Sequence, residues 1–140
     1  MNECINLVIR MDSKEEAKKA LAVVKTATTN EIKYKGWENF WNSQLIVKDN
    51  TITFAENLDY YSEYGVLAYQ FMELMLPAIC KKLSAEMPET DFRGFGIYED
   101  YRCGYSENYD FSFRSGKLKF EKNIIEENFD GEDDEIECYE

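Results

Sequence analysis

Hydrophobic and polar positions in this chain change period several times, and each change marks an element. Ile5, Leu7, Ile9 and Met11 alternate with Asn6, Val8 and Arg10. Period two is the pattern of a strand with one buried face. Asp12 and Ser13 interrupt it, and Ser13 with Glu16 has the spacing of a capping box, in which side chains satisfy the first free amides of a helix. Ala17, Ala20, Leu21 and Val24 then recur at helical intervals, with Lys14, Lys18, Lys19 and Lys25 off that stripe. Thr28, Thr29 and Asn30 are expected to end this helix.

Residues 31–43 carry Tyr34, Trp37 and Trp41 three and four apart, which suits a helical turn, although Gly36 weakens it. Two β-rich runs, 44–48 and 51–56, flank Asp49-Asn50 and predict a hairpin, with Leu45 and Val47 on one face and Ile52 and Phe54 on one face of its partner. Residues 64–87 predict a second helix region. Leu67, Phe71, Leu74 and Ala78 trace its stripe, and apolar residues around them predict burial on most sides. Pro77 must kink this region or open a second short helix, because it lacks an amide donor.

From Phe92 onward four short strands are expected: 92–98, 101–105, 109–115 and 117–121. Glu99-Asp100 and Ser106 to Asn108 are read as turns between them. Tyr109, Phe111 and Phe113 oppose Asp110, Ser112 and Arg114, and Leu118 and Phe120 oppose Lys117 and Lys119. This is an antiparallel meander with one wet side. Gly94, Gly96 and Gly104 predict bulges or close backbone approach. Strands and helices do not alternate strictly, so the predicted class is α+β: an antiparallel sheet with two main helices on one face, ferredoxin-like or a relative. A single domain is expected over 1–122, followed by an acidic tail over 123–140.

Charge sharpens that division. The chain holds 28 acids and 16 bases, a net −12. Residues 121–140 contribute ten acids and one lysine, a net −9, whereas residues 1–120 carry 18 acids and 15 bases, a net −3. The acidity therefore belongs to the last segment, attached to a nearly neutral body. A concentrated anionic segment repels nucleic acid and anionic membrane and attracts basic protein surfaces. No apolar run approaches the roughly 18 residues of a membrane span, and no secretory leader is evident, so a cytoplasmic location is expected.

The sequence excludes much chemistry. It contains no histidine, which removes Ser-His and Cys-His nucleophile pairs and histidine-bearing metal centres. Cys4, Cys80, Cys103 and Cys138 lack the short spacing of a zinc site, and Cys80 and Cys103 read as small buried hydrophobes. The segment 92–96 resembles half of a dinucleotide fingerprint but opens no helix. The acidic run 130–135 lacks the ligand spacing of a calcium loop. Arg93, Arg102, Arg114, Lys117 and Lys119 are interleaved in sequence with Glu99, Asp100, Glu107 and Asp110, so direct nucleic-acid binding is not expected. No metal, cofactor or enzymatic activity is predicted.

What remains is binding. The expected function is that of a non-enzymatic acidic protein docking on a basic partner surface through Glu99, Asp100, Glu107, Asp110, Glu126, Glu127, Asp130, Glu132, Asp133, Asp134 and Glu135. A natural partner is a nucleic-acid-processing enzyme whose phosphate-binding groove the acids would occupy. In size and charge the chain resembles nuclease immunity proteins and phage-encoded inhibitors of bacterial defence, a resemblance of composition that transfers no residues. The alternative is a small-molecule or peptide-binding domain using Trp37, Trp41, Tyr60, Tyr61 and Tyr64, with the tail a passive solubilising extension.

Overall fold

The computed structural model describes residues 3–31, 45–58, 71–100 and 104–126. The elements are β1 (Glu3–Met11), α1 (Lys14–Glu31), β2 (Ile46–Lys48), β3 (Thr51–Leu58), a π-helical turn (Phe71–Met75) running into α2 (Leu76–Glu86), β4 (Phe92–Asp100), β5 (Tyr105–Arg114) and β6 (Lys117–Glu126). The six strands form one sheet in the order β2-β3-β1-β4-β5-β6, antiparallel at every junction. The class is α+β.

The first strand and helix follow the sequence pattern. Ile5, Leu7, Ile9 and Met11 are buried, as are Ala17, Ala20, Val24 and Ala27. The Ser13 hydroxyl accepts from the Glu16 amide at 3.1 Å and donates to the Glu16 carboxylate at 3.3 Å, closing the first turn. The helix continues through Thr28, Thr29 and Asn30 to Glu31, beyond its expected end. The hairpin turns at Asp49-Asn50, with Asp49 at φ 56°, a left-handed conformation that Asp tolerates and two-residue hairpins require. Asn50 also ties the hairpin to β1, donating from Nδ2 to the Met11 carbonyl at 2.7 Å and accepting from the Met11 amide at 2.9 Å.

The second helix region departs from the expected stripe. Met72, Met75, Leu76, Ile79, Cys80 and Leu83 are buried, whereas Leu74 is exposed and Ala78 only partly covered. These buried positions keep helical spacings of three and four from Met72 to Leu83, one position later than the expected stripe. Leu67 lies outside the described residues. Pro77 lies in the first turn of α2, where its missing amide costs no hydrogen bond.

Among the described residues from Phe92 onward there are three strands where four were expected; most of the expected strand 101–105, residues 101–103, lies outside them. Glu99 and Asp100 complete β4, and Ser106 to Asn108 lie within β5, which begins just after Gly104 (φ 64°). Long-range pairing overrides the turn-like composition: Glu107 faces Tyr98 on β4 and Ile124 on β6. β6 likewise continues to Glu126, so Asn123, Ile124, Ile125 and Glu126 pair with β5.

The registers place residues in rows across the sheet. The inner face carries Ile5, Leu7 and Ile9 of β1, Ile52 and Phe54 of β3, Phe92 and Tyr98 of β4, and Tyr109, Phe111 and Phe113 of β5, all buried with the apolar faces of α1 and α2 in one core. Close approach occurs at both strand glycines. A Cβ on Gly94 would stand 1.9 Å from the Val8 carbonyl oxygen, and one on Gly96 would stand 2.3 Å from Met72 Cε and 2.8 Å from Leu76 Cδ2. Gly96 is thus where the second helix region lies directly on the sheet. The outer face has no helix over it among the described residues.

Candidate functional site

Two polar features stand out, one on each face. On the inner face, Glu107 occupies a position that the alternation of β5 would give to an apolar residue. It is only 4% exposed. A buried carboxylate must be hydrogen-bonded or lose its charge, and this one is surrounded by donors. Tyr109 donates to Oε1 at 2.5 Å, and Tyr105 donates to Oε2. Lys122 Nζ lies 3.8 Å from Oε2 and 3.2 Å from the Glu73 carboxylate on the π-helical turn. The same ammonium stands 5.6 Å from the centroid of the Tyr109 ring. Burial, and then the hydrogen bond and charge of Glu107, push the Tyr109 hydroxyl far above its ordinary range. A phenol held protonated in this way is a fixed donor. Glu107, Tyr105, Tyr109 and Lys122 therefore lock β5 and β6 together, and Glu73 extends the lock to the helical layer.

On the outer face, register collects bases from distant parts of the chain. Lys48 is opposite Thr51, Thr51 opposite Arg10, Arg10 opposite Arg93, Arg93 opposite Ser112, and Ser112 opposite Lys119. This single row crosses all six strands. Arg114 and Lys117, opposite each other, add two cations beside it. All six cations are exposed, and none forms an ion pair among the described residues. A groove of about 390 Å³ runs along the row, lined by Val8, Arg10, Arg93, Phe95, Ser112 and Lys119 among others. Asp110 and Glu121 border it at the β5–β6 end.

The five acids predicted within the described residues do not form one surface. Asp100 is 1% exposed and Glu107 4%, both on the inner face. Glu99 and Asp110 belong to the outer face, Glu99 partly covered and Asp110 exposed. Glu126 ends β6 opposite Tyr105. Asp100 and Glu107 are thus corrected from exposed turn acids to buried strand residues, because pairing with neighbouring strands placed them inward. The interleaving of acids and bases is undone for Asp100 and Glu107 only; Glu99 and Asp110 share the outer face with the bases. Residues adjacent in sequence fall on opposite faces of a strand, so Arg93, Arg114, Lys117 and Lys119 gather outside while Asp100 and Glu107 are inside.

Glu127, Asp130, Glu132, Asp133, Asp134 and Glu135 lie outside the described residues, as do Trp37, Trp41, Tyr60, Tyr61, Tyr64 and Cys103. Cys80 is buried, and burial pushes its thiol up to about 12, consistent with a small hydrophobe rather than a nucleophile. Among the described residues no group of three or more His, Cys, Asp or Glu is placed to hold a metal ion, and no helix is long and apolar enough to cross a membrane. Sequence reasoning missed the basic row and the Glu107 lock. The alternation Tyr105-Glu107-Tyr109-Phe111-Phe113 was the signal for the second. No local signal existed for the first.

Comparison with protein families, with curated proteins and with solved structures finds no match to this chain.

Proposed function

We propose that this chain is a non-enzymatic binding protein whose acidic segment, which follows β6 in the sequence, docks on a basic surface of a partner protein. The observation that carries this reading is the separation of charge: a net −9 in the last twenty residues against −3 in the preceding 120. The segment is fixed to the body by β6, whose exposed Ile124 and Ile125 offer apolar contact beside it. An anionic strip on a rigid mount is suited to a groove built for phosphates, since the electrostatics that recruit nucleic acid would recruit it as well. The partner class is therefore a nucleic-acid-handling protein, and occupying its groove would inhibit it.

We also read the fold as ferredoxin-like with an extension. Support comes from the order of β1-α1-β2-β3-α2-β4, in which β1 lies between β3 and β4 and β2 takes the edge. β5 and β6 then widen the sheet on the β4 side.

The test is a pull-down from the native host, using the full chain and a full-length variant with the acids of residues 127–140 replaced by Asn and Gln. It is run at about 0.1 M and about 1 M salt, where charges are screened over ~10 and ~3 Å. A basic protein retained by the natural chain at low salt, and lost both at high salt and on neutralisation, is the expected result. Equal retention by both chains rules the reading out.

A further inference from the structure

The chain is strongly acidic, yet six of its 16 bases stand together on the outer face of the sheet with no ion pair among the described residues. Arg10 directly opposes Arg93, and Arg114 opposes Lys117. Like charges facing each other across strands are destabilising, and that repulsion is relieved when an anion lies over the row. We propose that the outer-face row Lys48-Arg10-Arg93-Lys119, with Arg114 and Lys117, is a docking site for this chain's own acidic segment 127–140.

Three observations favour that occupant. The first is charge: residues 127–140 contain eight acids and no base, against six cations at the row. The second is reach. Glu126 lies seven residues along β6 from Lys119, roughly 23 Å at ~3.3 Å per residue. Fourteen residues extend to roughly 46 Å. What remains beyond the level of Lys119 matches the ~24 Å width of five inter-strand gaps. The third is the route. Between the end of β6 and the row, the outer face has a hollow of about 580 Å³ lined by Phe95, Ile97, Asn108, Asn123 and Ile125 among others, and it adjoins the basic groove at Phe95 and Asp110. Ile125 is 49% exposed and Phe95 39% exposed. By the same residue count the acids that reach along the row are Asp134, Glu135, Glu137 and Glu140.

Tethering makes the contact effective. A segment joined to its site by a short link meets it at an effective concentration in the millimolar range, so weak individual ion pairs suffice. Single-stranded nucleic acid is a poorer occupant for a chain of net −12 in which Phe95 is the one exposed aromatic ring beside the row among the described residues. The inference does not rest on the partner reading above. If both hold, a basic partner and the protein's own sheet compete for one acidic segment.

The experiment places a nitroxide on Cys138 of the full-length chain carrying Cys103→Ser, the buried Cys4 and Cys80 being left in place. Amide signals are then read by NMR. Selective broadening of Arg93, Ser112 and Lys119 at about 0.1 M salt, with Lys82 on the helical side unaffected, is expected. The broadening should vanish near 1 M salt and in the Arg10→Glu/Arg93→Glu variant. Absence of broadening at low salt, or broadening that ignores both salt and the charge reversal, overturns the proposal. So does broadening reproduced when a nitroxide-bearing copy is mixed with an isotope-labelled, nitroxide-free one, since that assigns the site to a second molecule. Single-stranded oligothymidylate that binds the row equally well with the acidic segment intact or neutralised overturns it too. Because the purified chain is used alone, failure here leaves the partner pull-down unaffected.

Discussion

Removing the Tyr109 hydroxyl should destabilise the protein, and removing Glu107 together with it should restore most of the loss. In Tyr109→Phe the ring keeps its packing against Phe120, with centroids 5.9 Å apart, but the donor 2.5 Å from Glu107 Oε1 is gone. Hydrogen bonds to charged groups contribute about 1.5–3 kcal/mol, and here the orphaned acceptor is buried. The expected cost is therefore at the upper end, about 2–3 kcal/mol. Glu107→Leu alone frees the sheet of a buried charge but leaves the Tyr109 hydroxyl, on a residue only 1% exposed, without its acceptor, at about 1–3 kcal/mol. The double variant removes both partners. Tyr105 and Lys122, the other partners of Glu107, are not buried and can turn to water. Replacing the buried pair by apolar groups is often neutral or better, so Glu107→Leu/Tyr109→Phe should fall within about 1 kcal/mol of the natural chain. Urea unfolding at neutral pH measures all four corners of this cycle, with an unchanged m-value as the check on two-state behaviour. A Tyr109→Phe cost below about 0.5 kcal/mol, or simple addition of the two single losses, would refute the account of the lock.

Three further outcomes follow from the same packing. Gly94→Ala should cost more than Gly96→Ala in urea unfolding: at Gly94 the added carbon meets the Val8 backbone oxygen, whereas at Gly96 it meets the movable ends of Met72 and Leu76, where overpacking costs about 1–3 kcal/mol. Stability should fall at alkaline pH. The folded state raises the Cys80 thiol from 9.0 to about 12 and raises the Tyr109 phenol as well, so the unfolded chain loses these protons first. The associated stability is complete below pH ~9 and declines above it, by at most ~1.4 kcal/mol per pH unit for each group. Cys80→Ala should remove the thiol's share of that decline, which runs from about pH 9 to 12, and leave the share of Tyr109 that begins near pH 10, as followed by thermal unfolding across a pH series. Ser13→Ala should lose about 1 kcal/mol through the N-cap of α1, measured by the same denaturant titration.

Much of the body could be read directly because its buried faces keep an uninterrupted period. Ile5 to Met11 and Ala17 to Val24 are set by local pattern alone, and the Asp49-Asn50 turn by local backbone preference. Leu74 and Glu107 show where such reading stops. Apolar residues surround much of the second helix region, so periodicity alone could not choose between two phases one residue apart, and Leu74 was assigned to a face it does not occupy. Ser106-Glu107-Asn108 has the composition of a turn, and only pairing with β4 and β6 makes it a strand. The basic row lay beyond any reading of the sequence, since Lys48, Arg10, Arg93 and Lys119 are brought into line by five separate registers. The same registers turned Asp100 and Glu107 inward, which leaves the acidic segment after Glu126, rather than the acids of β4 and β5, as the chief anionic element of the binding reading.

The most direct test of that reading is competition for a captured partner's nucleic acid. A fluorescent duplex is bound to the partner, and the full-length chain is titrated in at about 0.1 M salt. The account predicts that the natural chain displaces the duplex, and that the variant neutralised over residues 127–140 loses at least about tenfold in potency, the equivalent of ~1.4 kcal/mol. Equal displacement by the two chains, or no displacement by the natural chain, would contradict it.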